Sequence, residues 1–119
     1  MKELRVIVCG GRDYSDRERL FEVLDQVHDA TPIAAIIHGN ARGADTLAGE
    51  FAKSCGHGVQ CWPRPADWKK HGRAAGPMRN KAMLGMGAGL VIAFPGGRGT
   101  ADMVRQARRA GVRVMEIQP

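Results

Sequence analysis

Leu90-Val91-Ile92-Ala93-Phe94, followed without a break by Pro95-Gly96-Gly97-Arg98-Gly99-Thr100, decides how this chain folds. An uninterrupted apolar run bounded by turn residues has the pattern of a strand buried on both faces. The glycines turn the chain, and Thr100–Ala110 then reads as a helix. A glycine loop that ends a buried strand and opens a helix aims bare backbone N–H groups at one point. The helix dipole adds roughly half a positive charge there. Anions, phosphate above all, bind at such a point.

The same alternation runs outward in both directions. Leu4–Cys9 reads as the first strand and Ile33–His38 as the second. Val59–Trp62 is a short third strand, Leu90–Phe94 the fourth and Val112–Ile117 the fifth. Between them, Asp16–His28 is helical, with Ser15 as N-cap and Leu20, Val23, Leu24 and Val27 on one face. Ala44–Ser54 is a second helix closed by Gly56, and Pro77–Met86 a third, with Pro77 suited to the first turn. Arg64 to Gly76 reads as an irregular loop. Strands alternating with helices predict an α/β fold on a parallel sheet of about five strands. Right-handed crossovers favour a three-layer, doubly wound, Rossmann-like domain over residues 1–119, in strand order 3-2-1-4-5. Its ligand crevice then lies between the loops after the first and fourth strands.

Composition narrows the class. The 119 residues carry 18 Lys and Arg against 12 Asp and Glu, a formal charge of +6, which suits an anionic partner. No apolar run approaches the roughly 18 residues of a membrane span, and no signal-peptide pattern precedes the first strand. A cytoplasmic protein without membrane contact is expected. The three cysteines, Cys9, Cys55 and Cys61, include no C-x-x-C pair. Cys9 ends an apolar run and reads as a small buried hydrophobe. Cys55, His57 and Cys61 lie near one another but fit no common zinc spacing, so no metal is expected. Much of the basic excess, Arg105, Arg108, Arg109 and Arg113, reads as a solvated helix face or as a nucleic-acid patch. Sparse aromatics and the absence of a nucleic-acid motif make the second less suited.

Three strand ends run into glycine loops, each with an arginine: Gly10-Gly11-Arg12-Asp13, Gly39-Asn40-Ala41-Arg42-Gly43, and Pro95 to Thr100. All should open on the carboxyl edge of the sheet. Arginine presents planar, bidentate donors to phosphate or carboxylate. Gly10-Gly11 does not continue as G-x-G-x-x-G, and no G-K-[ST] P-loop occurs, so neither a dehydrogenase nor an NTPase cofactor site is expected. The loop from Pro65 to Asn80 supplies Asp67, Trp68, His71, Arg79 and Asn80. Trp68 reads either as a stacking platform for a base or as a cap on the core. His71 reads as solvated, or as a phosphate ligand or proton carrier. His38, at the end of an apolar strand, reads as a satisfied structural histidine.

Val6 to Asp13, His38-Gly39-Asn40-Ala41-Arg42-Gly43-Ala44-Asp45, Pro65 to Trp68, His71-Gly72, Ala75 to Asn80 and Pro95 to Thr100 together resemble the YspA-type, cpYpsA-related branch of the SLOG superfamily. That resemblance covers nearly the whole chain. It implies a Rossmann-like fold that binds a nucleotide or nucleotide-derived ligand, as a sensor or a processing enzyme. More distantly the chain resembles the LOG phosphoribohydrolases, formerly called lysine decarboxylases, which cleave the N-glycosidic bond of nucleoside 5′-monophosphates. Their P-G-G-x-G-T-x-x-E motif holds phosphate and places a Glu at the ribose. Thr100 matches the family's Thr and Arg79 its active-site Arg, whereas the Glu position is Met103. LOG-type proteins are dimers, so the resemblance implies a homodimer; Met78, Met83, Leu84 and Met86 read either as its face or as core.

A thioether neither stabilises developing positive charge on ribose nor activates water. Asp102 is adjacent to Met103, but one helical residue turns about 100° away. Asp13, Asp45 and Asp67 are the other acids at this edge. Asp45, beside Arg42, is the expected replacement, with Arg79 as its catalytic partner; alternatively Asp45 caps the second helix. The leading expectation is ligand binding, with phosphate on Gly96, Gly97, Gly99 and Thr100 and with Arg12, Arg42 and Arg79 neutralising charge. An N-glycosidic hydrolase and a nucleic-acid module are the alternatives.

Overall fold

The computed structural model describes residues 3–55 and 58–119, without the side chain of Cys55. The expected helix close at Gly56 and the Cys55–His57 grouping therefore lie outside the described residues. The elements run β1 (Leu4–Cys9), α1 (Arg17–Ala30), β2 (Ile33–His38), α2 (Ala44–Cys55), β3 (Gln60–Pro63), α3 (Trp68–His71), a 3-10 turn (Gly72–Ala74), α4 (Ala75–Leu84), β4 (Leu90–Ala93), α5 (Arg98–Arg109) and β5 (Arg113–Glu116). The five strands pair in parallel in the order β3-β2-β1-β4-β5. This is the expected Rossmann-like sheet.

Strand alternation divides the core in two. Val6 and Val8 of β1 join Ile36 and Ile92 beneath Leu20 and Leu24 of α1 and Ala48 and Phe51 of α2. Ile7 and Cys9 join Ile37 and Val91 on the other face, beneath Met83 of α4 and Met103 and Ala107 of α5. Each fully buried aliphatic side chain stabilises the fold by about 1.5–3 kcal/mol relative to exposure. Met83 belongs to this second core, and Leu84 and Met86 are half-buried against it. Of the four residues expected at a pairing face or in the core, Met78 is the exposed one.

Several boundaries differ from expectation. Asp16, not Ser15, caps α1, accepting from the Arg19 N–H at 3.1 Å. The stretch from Arg64 to Gly76 is not wholly irregular: Asp67 accepts from the Lys70 N–H and starts α3. The 3-10 turn then leads directly into α4 at Ala75, so Pro77 sits inside the first turn, where its missing N–H has no helical partner to lose. Helix α5 begins at Arg98, so Arg98, Gly99 and Thr100 form its first turn.

Candidate functional site

A cleft of about 940 Å³ opens over the carboxyl ends of β1, β2 and β4, walled by α4 and the first turn of α5. It lies where the strand order reverses, with the connections from β1 and β4 leaving the crevice between them. Arg12, Arg42, Arg73, Arg79, Arg98 and Arg105 line it against only two carboxylates, Asp45 and Asp102. Of the expected site residues, Gly10, Gly11, Gly39, Trp68, Asn80, Gly97, Gly99 and Thr100 line it as well.

The glycines divide by role. A Cβ on Gly96 would run into Thr100 Oγ1 and the Gly11 amide nitrogen. One on Gly43, at φ +83°, would strike the carbonyls of Gly11 and Arg12. These two let the three loops pack together, helped by the Gly11 N–H donating to Pro95 O at 2.9 Å. Pro95 and Gly96 turn toward a separate hollow of about 320 Å³ beside the C-terminal residues. Gly97 and Gly99 differ, because a Cβ on either would meet open space. Gly97 is the N-cap of α5 and has no side chain to bond the first-turn amides. Those amides are the uncapped donors of the cleft.

The β2 loop does the opposite of what its glycines suggest. Asp45 Oδ2 accepts from the N–H of Gly39 at 3.1 Å and of Ala41 at 3.2 Å. His38 Nδ1 accepts from the Asn40 N–H at 3.0 Å. Three successive amides are thus consumed internally, which holds Asn40 at φ +58°. Those three amides are not offered to an anion. Asp45 lies inside the first turn of α2 and reaches back to the loop before it, so it is not an N-cap. Arg42 pairs loosely not with Asp45 but with the exposed Asp13, at 3.7 Å.

Burial raises the Asp45 carboxyl above its ordinary value, against the opposing pull of the Ala41 and Gly39 amides and of Arg79. His38 is the structural residue expected: 5% exposed, with Nε2 3.1 Å from Cys61 Sγ. Because Nδ1 accepts, the proton of the neutral ring is on Nε2. Burial lowers the His38 pKa. Burial also pushes the Cys9 thiol up to about 12, leaving it the inert small hydrophobe of a core strand.

Arg79 and Asn80 span the cleft. Arg79 Nη1 donates to Gly39 O at 3.0 Å and its Nε to Asn80 Oδ1 at 3.0 Å. The buried Asn80 amide donates to Gly99 O at 3.1 Å and to Asp102 Oδ2 at 3.0 Å. The β2 loop and the first turn of α5 are therefore held in one frame. Trp68 is 48% exposed, with the Arg12 guanidinium 5.8 Å from its ring centroid and Gly76 beneath the ring.

Asp13, Gly43, Asp67 and His71 lie outside the cleft lining, as do Pro95 and Gly96. Asp67 is the α3 cap instead. Asp102, Arg73 and Arg105 line the cleft without having been singled out as ligands. The signal for Asp102 was its spacing: Arg105 and Gln106 follow at i+3 and i+4, and both donate to it, at 3.2 and 2.8 Å. Met103, where the LOG family carries Glu, is fully buried in the second core. No carboxylate enters the cleft from that position.

Fold and cleft together define a small Rossmann-like domain with a cationic crevice at its switch point. The chain belongs to the YspA, cpYpsA-related SLOG family, whose model matches residues 4–71, from β1 through α3. It is also similar to the protein described as Gene 61 protein of Mycobacterium phage D29, with 38% identity over 119 aligned residues covering 95% of each chain. Membership of this family is consistent with ligand binding. No helix among the described residues is long and apolar enough to cross a membrane.

Proposed function

We propose that this protein binds a nucleotide or nucleotide-derived ligand in the arginine-lined cleft, with a phosphate on the first turn of α5. The observation that carries this reading is the uncapped α5 N-terminus, where Gly97 and Gly99 leave open space and Arg98 opens the helix. Oriented amides and the helix dipole suit an anion there, and the cleft's arginines add favourable charge. The half-exposed Trp68 ring offers a face for a base. A proton NMR titration with AMP, ADP-ribose and NAD tests it. Ligand lines that broaden on adding protein, with no new species, are expected of a sensor or carrier. Unchanged lines for all three would overturn the reading.

One observation favours a second reading. Asp45 is a buried carboxyl that lines the cleft, and an N-glycosidic hydrolase needs a carboxylate beside the ribose. Free base and ribose 5-phosphate appearing during the same titration would establish turnover. Loss of that turnover in Asp45→Asn would assign it to this acid.

A further inference from the structure

The cleft has two ends of opposite chemistry. At α5 every polar group facing the cleft from the first turn is a donor or a hydroxyl: amides, Arg98 and Thr100. At the β2 loop the Gly39, Asn40 and Ala41 amides are consumed, and beside Arg42 the cleft meets an acceptor. Asp45 is 6% exposed, and both of its hydrogen bonds fall on Oδ2. Among the described residues, no side-chain oxygen or nitrogen that is sealed from solvent lacks a partner. Oδ1 has no protein partner, so it is not sealed, and the cleft is the space that Asp45 lines.

The surroundings select what Oδ1 can take. A Cβ on Gly39 would touch both the Arg79 guanidinium carbon, at 2.7 Å, and Asp45 Oδ2, at 2.9 Å. Arg79 thus stands beside the carboxylate, and a cationic ligand group would meet its charge. A neutral O–H donor meets no such penalty. The loop amides hold the carboxylate in place before any ligand arrives, so little ordering is lost on binding. The Arg79–Asn80 run connects this end to Gly99 at the other.

Resting on the nucleotide reading above, we infer that Asp45 Oδ1 accepts a ribose hydroxyl of the bound ligand. The cleft thereby selects ribonucleotides over deoxyribonucleotides. Phosphate at α5 supplies affinity, and Asp45 supplies discrimination. A ligand lacking that hydroxyl covers the carboxylate oxygen without offering it a donor. A hydrogen bond to a charged group then corresponds to about a tenfold to hundredfold difference in affinity.

The test is a calorimetric titration with AMP, 2′-deoxy-AMP and 3′-deoxy-AMP at one salt concentration. Weaker binding of at least one deoxy ligand, by about ten- to a hundredfold, is expected. Asp45→Asn keeps an oxygen for the loop amides but replaces the charged acceptor by a neutral NH2, and should shrink the ratio several-fold. Thr100→Ala should weaken all three ligands by a common factor and leave the ratio intact. Equal wild-type affinity for the three ligands overturns the inference while the nucleotide reading stands, and that comparison needs no variant to fold. A ratio retained in folded Asp45→Asn removes Asp45 from the role. Binding of none of the three defeats the nucleotide reading, and the inference with it.

Discussion

Gly43 holds a φ of +83° with the carbonyls of Gly11 and Arg12 packed against its α-carbon. A side chain there is penalised twice, by the left-handed backbone and by the carbonyls it would displace. Gly43→Ala should cost about 2–5 kcal/mol, the sum of those two effects. Gly99→Ala, inside the first turn of α5 with open space around it, should be neutral or stabilising by up to about 1 kcal/mol. Urea unfolding of the two variants side by side checks this. The contrast separates glycines kept for packing from those that leave room in the cleft. Both look alike as letters in a glycine-rich loop. Asp45 carries the same lesson. Its position next to Arg42 suggests a pair, but its neighbours in space are the amides of Gly39 and Ala41 and the guanidinium of Arg79.

Among the elements, α1 shows how a cap sets a boundary. Asp16 satisfies the Arg19 amide, one of the orphan donors of the first turn, and its negative charge suits the N-terminal dipole. Asp16→Ala should cost about 1 kcal/mol, read as a lower urea midpoint at unchanged slope. Both Ser15 and Asp16 have capping side chains, so sequence favours neither strongly. Leu20, Val23 and Leu24 were legible as the buried face because their spacing repeats the helical turn. Helix α3 was not legible, because four residues hold no periodicity to read. Its only mark is the cap at Asp67. Helix α5 was placed correctly, yet starting it at Arg98 brings the whole Arg98-Gly99-Thr100 turn to the cleft.

For the molecule as a whole, buried titratable groups give stability a pH dependence. Burial lowers the His38 pKa from its ordinary 6.5, so below that pH the unfolded chain binds this proton more readily than the folded one. The stability tied to His38 is full above pH 6.5 and falls as the pH drops below it. Asp45 acts with the opposite sign. Its raised pKa means that stability falls as pH climbs from the ordinary 3.8 toward the folded value. Between pH 7.5 and 5.5, calorimetry should show acidification lowering Tm more in the wild type than in His38→Asn, whose amide oxygen still accepts from Asn40. An equal drop in both proteins would remove His38 from that role. By itself the sequence determined the strands, their parallel order and the edge on which the loops open, because burial on both sheet faces writes continuous apolar runs and crossover handedness leaves few topologies. It also placed glycines and arginines at the strand ends where the cationic cleft opens. Only the tertiary structure decided which amides are free, that Met103 is core, and that Asp102, Arg73 and Arg105 join the cleft. Those outcomes depend on which groups meet across the loops and between α4 and α5. Hydrogen-bond partners 22 to 40 residues apart, such as Asn80 with Asp102 and Arg79 with Gly39, leave no periodic trace in the chain.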